Sequence, residues 1–333
     1  MTFMEQVFEK AKTAPRKVVL QEGDDERIIE AGVKATQMGV AQITMIGTPK
    51  VIKEKAAAKS LPLDKIDIVD VTNLPSLNEY SGELYNLRKA KGMTEEQAAK
   101  QMKDPLWYGA MMVRKGLADS FVGGALYTTA EVAKTAIYLV GMKEGIKTLS
   151  SFFVMILPDK NWGVDGILFY ADGGVVIDPD PSQLADIAIM TAESFRLLMG
   201  REPLVAMLSF STKGSAKHPR VDKVVNAMNI VKQRVPNLVI DGEMQGDSAL
   251  IPAVGAKKAP GSPVAGKATV LIFPDLDAGN IGYKLTERLA KAEALGPILQ
   301  GMSKPCSDLS RGCKASDVLN VIAINVVRLQ SVK

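Results

Sequence analysis

Near the end of the 333-residue sequence, PCSDLSRGCKASD (305–317) places Asp308, Ser310, Arg311, Cys313 and Asp317 within ten positions, around a Gly turn and ahead of an amphipathic segment. These side-chain types can work together. A carboxylate can take a proton, a hydroxyl can donate to developing charge, and a guanidinium can grip an anion through two parallel hydrogen bonds. The same residues also admit a purely structural reading. Asp317 follows Ser316 and falls in the first turn of the last helix, where negative charge is favoured. Cys313 neighbours Lys314 and has no histidine close in sequence, so it reads as a structural cysteine rather than a nucleophile.

Three further segments combine small residues with hydroxyls, lysines or an amide: GGALYTT (123–129), LSFSTKGSAK (208–217) and FPDLDAGN (273–280). At a strand-to-loop junction, backbone N–H groups and hydroxyls can cradle phosphate, which makes Thr128, Thr129, Ser211, Lys213 and Asn280 candidate contacts. Ordinary connecting loops have the same makeup, so each segment alone is weak evidence and only the three together point to a phosphate-rich ligand. Asp24, Asp25 and Glu26 follow the first strand and either bind a metal or cap the next helix. No metal is assigned. The single histidine, His218, lies in a polar loop as a bystander or a phosphate contact. It leaves little material for a catalytic triad or a zinc site.

Composition narrows the classes further. Hydrophobic residues make up 47% and charged residues 23%, a globular balance. The formal charge of +4 is too small to argue for nucleic acid and suits phosphorylated small molecules. Two cysteines cannot form a disulfide framework, which points to a reducing compartment. There is no signal-like apolar run and no stretch of about 18 apolar residues, so a cytoplasmic protein without a membrane segment is expected.

The elements that must position these residues alternate in type. KVVLQ (17–21), a helix from Glu26 to Met38 stopped by Gly39, AQITMIG (41–47), a helix over 48–58 and IDIVDV (66–71) predict a parallel sheet covered by helices. Three short helices fit 79–115, with a capping box at Thr94 and Gln97 and a start at Asp104-Pro105. A strand at 120–122 leads to a helix over 130–140. From Ser150, SSFFVMIL, GILFY and GGVVI read as consecutive strands with antiparallel pairing. Helix 181–198, strand 204–208, helix 219–233, strands 238–240 and 269–273 and a last helix from Ser316 to Leu329 restore the pattern. The fold class is α/β. Its expected domains are 1–148 plus 302–333, and 149–301.

STKGSAK, KAPGSPVAGKA, IFPDLDAGNIGYKLTERLAKAEALGPILQGMSKP and DLSRGC together resemble the phosphate acetyl/butyryltransferase family, its acetyltransferase branch in particular. The resemblance spans essentially the whole chain and is most specific in the last third. It implies two α/β domains with mainly parallel sheets and an active-site cleft between them, similar to isocitrate and isopropylmalate dehydrogenases. It also implies a homodimer acting on acetyl phosphate or phosphate, with coenzyme A as co-substrate. By matched positions, Ser310, Arg311 and Asp317 are the implied active-site residues, and Arg88 in YNLRKAKG the implied coenzyme A contact. After the Gly-rich turn the family usually has a hydroxyl-rich stretch and then an arginine. Here Lys134 stands in that place, and Tyr127 and Glu131 also depart from the pattern.

A coenzyme A thiol, with a reference value of about 8.5 for a cysteine-like group, is mostly protonated at neutral pH and needs a base. The resemblance gives that work to Asp317, with no covalent intermediate. Competing readings are a propionyl or butyryl transferase, a non-catalytic acyl-coenzyme-A-sensing module, and a dehydrogenase. The last lacks a G-x-G-x-x-G after the first strand.

Overall fold

The computed structural model describes residues 1–72 and 74–330. The chain opens with α1 (Phe3–Thr13), where the Thr2 hydroxyl accepts from the Glu5 N–H and the Glu5 carboxylate from the Thr2 N–H. Then come β1 (Arg16–Leu20), α2 (Glu26–Gln37) and β2 (Ala41–Ile46). Next are α3 (Pro49–Ala58) and β3 (Asp67–Val69). The three expected helices are α4 (Leu77–Arg88), α5 (Glu95–Met102) and α6 (Pro105–Arg114). The Thr94–Gln97 capping box starts α5, and Asp104 caps α6 with Pro105 in its first turn. β4 (Ser120–Gly123) leads into α7 (Thr129–Thr135). Instead of one helix over 130–140, α7 then widens into a π-helical turn, Ala136–Val140.

β5 (Ser150–Ile156), β6 (Ile167–Ala171), α8 (Pro181–Met199), β7 (Val205–Leu208) and α9 (Pro219–Arg234) follow. Then come β8 (Ile240–Met244), α10 (Gly246–Leu250), α11 (Pro252–Lys258), β9 (Val270–Ile272) and α12 (Leu276–Leu289). β10 (Glu293–Gln300), β11 (Cys306–Asp308) and α13 (Ala315–Leu329) complete the order.

The chain divides into two compact units, Met1–Gly141 with Met302–Lys333, and Met142–Gly301. The first unit has a sheet of order β11-β4-β1-β2-β3 in which every pairing is parallel. Val18, Val19 and Leu20 on its central strand are fully buried, as expected for a strand covered on both faces. α13 packs against α1, α2 and the sheet, and α6 against β1 and β4.

The second unit has a sheet of order β10-β5-β6-β9-β7-β8, antiparallel at β10/β5 and β5/β6 and parallel elsewhere. Its core includes Phe152 stacked on Phe169 with Phe195 edge-on.

Two strand expectations are corrected. GGVVI forms no strand, because the N–H groups of Gly174, Val175 and Val176 donate to the Asp172 carboxylate and are lost to any ladder. The strand expected at 238–240 lies at 240–244, carrying Asp241 and Glu243 into the interior. Both acids are accommodated there by hydrogen-bond donors.

Asn325 ties α13 to the first sheet. Its amide donates to the Ser120 hydroxyl at 3.0 Å and accepts from the Ser307 hydroxyl at 2.8 Å, all of it buried. Asn325→Ala leaves the Ser307 hydroxyl without its acceptor, takes one donor from the Ser120 hydroxyl and leaves a cavity, so the unfolding free energy should fall by roughly 2–4 kcal/mol. Chemical denaturation measures this. A loss below about 0.5 kcal/mol, the size of an ordinary surface change, would show that the network holds nothing.

Candidate active site

β1 runs out into Gln21 and Glu22, both buried. A carboxylate is tolerated there because three successive N–H groups of the loop after β4 converge on it. Ala125 donates at 2.8 Å, Leu126 at 2.6 Å and Tyr127 at 3.1 Å. Three backbone donors of GGALYTT are therefore spent on Glu22, and a fourth, the Thr128 N–H, on Glu131. The loop's hydroxyls are also engaged: Thr128 forms a capping box with Glu131, and Thr129 donates to Asp308 Oδ2 at 2.5 Å. Tyr127 reaches Asp104 at 2.9 Å. Gly124, at φ 102°, lies so close to Asp308 that a Cβ would stand 2.1 Å from its Oδ1. Only glycine fits between the two loops.

Asp308 ends β11 and is buried. Its Oδ1 has no hydrogen-bond partner. Burial pushes the carboxyl up to about 7, with Thr129 opposing and the nearby Glu22 carboxylate adding to the rise.

The loop that follows is held from α2. One Arg27 nitrogen donates to the carbonyls of Arg311 at 2.8 Å and Cys313 at 3.1 Å, and another to Asp25 at 2.8 Å and Ala125 at 3.2 Å. The hydrogen-bonded Arg27 guanidinium holds the Asp25 carboxyl below its ordinary value. Within the loop, the Gly312 N–H donates to Ser310 Oγ at 3.2 Å and the Cys313 N–H to the Ser310 carbonyl at 2.9 Å. Ser310 and Arg311 are left exposed, and the Arg311 guanidinium forms no ion pair among the described residues.

Asp317 accepts from the Lys314 N–H at 2.8 Å, in the first turn of α13, and is half-buried. The first-turn position thus coexists with a place on the loop. Burial pushes the Cys313 thiol up, and Cys306 to about 12, which keeps both thiols protonated at neutral pH.

On the other side of α7 the same unit holds a cleft of about 220 Å³ lined in part by Arg88, Lys134 and Tyr138. Arg88 ends α4 and stacks on the Tyr138 ring at 3.5 Å, and Lys134 Nζ lies 5.6 Å from that ring. Thr129, against Asp308, and Tyr138 are separated by roughly 13 Å of helical rise.

Ser211, Lys213 and Asn280 belong to the second unit, where acids again take up the donors. Ser211 Oγ and the Gly214 N–H bind Glu243, and Lys213 Nζ binds Asp241. Asn280 donates to the Gly173 carbonyl at 3.0 Å. His218 caps α9, its Nδ1 accepting from the Arg220 N–H. Among the described residues no group of three His, Cys, Asp or Glu is placed to hold a metal, and no helix is long and apolar enough to cross a membrane.

The residues that the sequence reading left without a role are Glu22, Arg27 and Asp308. Asp308 stands inside the quoted DLSRGC motif. For Glu22 and Arg27 the only local signal is a run of charges just after an apolar strand.

A mixed α/β architecture with mainly parallel sheets, and a Ser-Arg-Asp loop at the end of a parallel strand, define the class. The model of the family described as "Phosphate acetyl/butaryl transferase" matches residues 2–326. The chain belongs to this family of acyltransferases. A relative from Acetivibrio thermocellus, named phosphate acetyltransferase, is 49% identical over all of both chains, and one of the same name from Bacillus subtilis is 42% identical over 97% of each. A phosphotransacetylase structure from Streptococcus pyogenes superposes with a TM-score of 0.94 at 36% identity, covering 99% of each chain.

The Asp308 carboxyl yields a pH signature. Its folded value lies above the unfolded 3.8, so the native state binds the proton more tightly. That stabilising contribution is complete below the unfolded value and is lost as pH rises through about 7. Asp308→Asn removes the titration. Relative to the parent, the variant should gain stability by a few kcal/mol between roughly pH 4 and pH 8. Denaturation midpoints measured across that range test it, and parallel pH profiles would show that Asp308 does not titrate as described.

Proposed function

We propose that this protein is a phosphate acetyltransferase that moves an acetyl group reversibly between acetyl phosphate and the thiol of coenzyme A. The observation that carries the reading is the loop from Ser310 to Asp317. It holds an exposed guanidinium, without an ion pair among the described residues, between a hydroxyl and a carboxylate, and Arg27 pins its backbone. The relatives' printed names support acetyl as the group transferred.

In this reading Asp317 takes the proton from the coenzyme A thiol, and the thiolate attacks the carbonyl carbon of acetyl phosphate directly. Arg311 binds the phosphate oxygens and stabilises phosphate as the bond from carbonyl carbon to bridging oxygen breaks. Ser310 donates to charge developing in the transition state. The protonated thiols of Cys306 and Cys313 favour this direct transfer over an acyl-cysteine. Arg88 and Lys134 offer cations to the coenzyme A phosphates. Thr128, Thr129, Ser211, Lys213 and Asn280 keep at most a secondary part, their donors being largely engaged within the protein. A cytoplasmic homodimer that needs no metal completes the proposal.

Thioester formation from coenzyme A with acetyl, propionyl and butyryl phosphate tests the substrate. Acetyl phosphate should be used most efficiently without added divalent cation, and clearly higher efficiency with butyryl phosphate would overturn the assignment.

The roles separate in variants. Asp317→Ala should lose several orders of magnitude in turnover while Cys313→Ala keeps most of it. Arg311→Ala should raise KM for acetyl phosphate, and Lys134→Ala should raise KM for coenzyme A roughly tenfold. An acyl-enzyme trapped in the parent and absent from Cys313→Ala would refute direct transfer.

A further inference from the structure

The π-helical turn Ala136–Val140 is an unusual element, and such turns recur at functional sites. Here it carries Tyr138, which the sequence reading did not single out. The ring is half-buried. The indole of Trp107, itself buried, supports it edge-on, with centroids 5.9 Å apart and planes at 72°. The guanidinium carbon of Arg88 sits 3.5 Å from the ring centroid. Lys134, one turn earlier, places its ammonium 5.6 Å from the same centroid, and all three side chains line the cleft of about 220 Å³.

The stack has a chemical consequence. An arginine lying on an aromatic ring uses the face of its guanidinium, and its N–H donors project from the edge in the plane of the group. Arg88 forms no ion pair among the described residues, so stacking immobilises it without spending those donors. A long cationic side chain normally loses much rotamer freedom when it captures an anion. An arginine already held on a ring has lost it beforehand.

We infer that Tyr138 is a positioning residue that orients Arg88 to receive a phosphate group of the nucleotide end of coenzyme A. The inference rests on the proposed coenzyme A reading of the cleft and adds a residue to it. The π turn sets the ring where the end of α4 delivers Arg88, and Trp107 stops the ring from swinging away. Lys134 adds charge beside the stack, as a point donor rather than a fork.

The test is a KM-against-kcat comparison on the intact enzyme with Tyr138→Phe, Tyr138→Trp, Tyr138→Leu, Arg88→Ala and the double variant Arg88→Ala/Tyr138→Leu. Tyr138→Leu should raise KM for coenzyme A about three- to tenfold while leaving kcat and KM for acetyl phosphate unchanged. Tyr138→Phe, which keeps the ring, should match the parent. In the Arg88→Ala background, Tyr138→Leu should add no further penalty, because the ring acts through the guanidinium.

A full, additive penalty in that background would overturn the inference in favour of simple packing. An Arg88→Ala effect on KM for coenzyme A with none from Tyr138→Leu would overturn the inference and leave the coenzyme A reading intact. No effect from Arg88→Ala would refute that reading of the cleft and the inference with it. If Tyr138→Leu fails to fold, Tyr138→Trp decides: the stronger cation–π surface should lower KM for coenzyme A or hold it, and a rise would count against the stack.

Discussion

Glu22 is a buried carboxylate at the end of the central strand of the first unit, and three consecutive N–H groups converge on its two oxygens. Without those donors the charge would be prohibitively costly to bury, and without the charge the loop would bury three donors unmatched. The loop is thereby fixed on the sheet, and α7 starts where it must. From that start follow the contact of Thr129 with Asp308, the placement of Lys134 and the turn that carries Tyr138. Arg27 extends the same arrangement, since it holds Ala125 with one nitrogen and the Arg311 and Cys313 carbonyls with another.

The second unit repeats the device with other residues. Asp172 accepts three backbone N–H groups just past β6, and Glu243 gathers Ser211 and Gly214 near the end of β8. A loop built to surround an anion is filled, in each case, by an anion of the chain itself. This explains why small, hydroxyl-rich junctions resemble phosphate cradles in sequence while their donors face inward. The exposed Arg311 is different: among the described residues no acid pairs with it.

Much of the first unit was legible because its elements carry local punctuation. Thr94 with Gln97, Asp104 with Pro105 and Gly39 mark helix ends through contacts a few residues apart. α1, α10, α11, α12, β10 and β11 went unread. β8 was displaced because Asp241 and Glu243 look like surface residues until their partners arrive from 211–214 and Ser262. GGVVI looked like a strand because its apolar composition outweighed the local signal of Asp172, which takes the N–H groups two to four residues on. Ser310, Arg311 and Asp317 were singled out through motif resemblance alone. The state of Asp308 was not legible, since it depends on Gly124, Thr129 and Glu22, all far away in sequence.

The first unit is discontinuous, and that bears on its synthesis. β11 and α13 belong to it yet emerge from the ribosome after the whole second unit. Until then β4 remains an open sheet edge, and the apolar faces of α1 and α2 that α13 will cover stay wet. The loop bearing Ser310, Arg311 and Asp317 lies in that last segment. A nascent chain therefore carries an aggregation hazard that ends only when β11 and α13 dock.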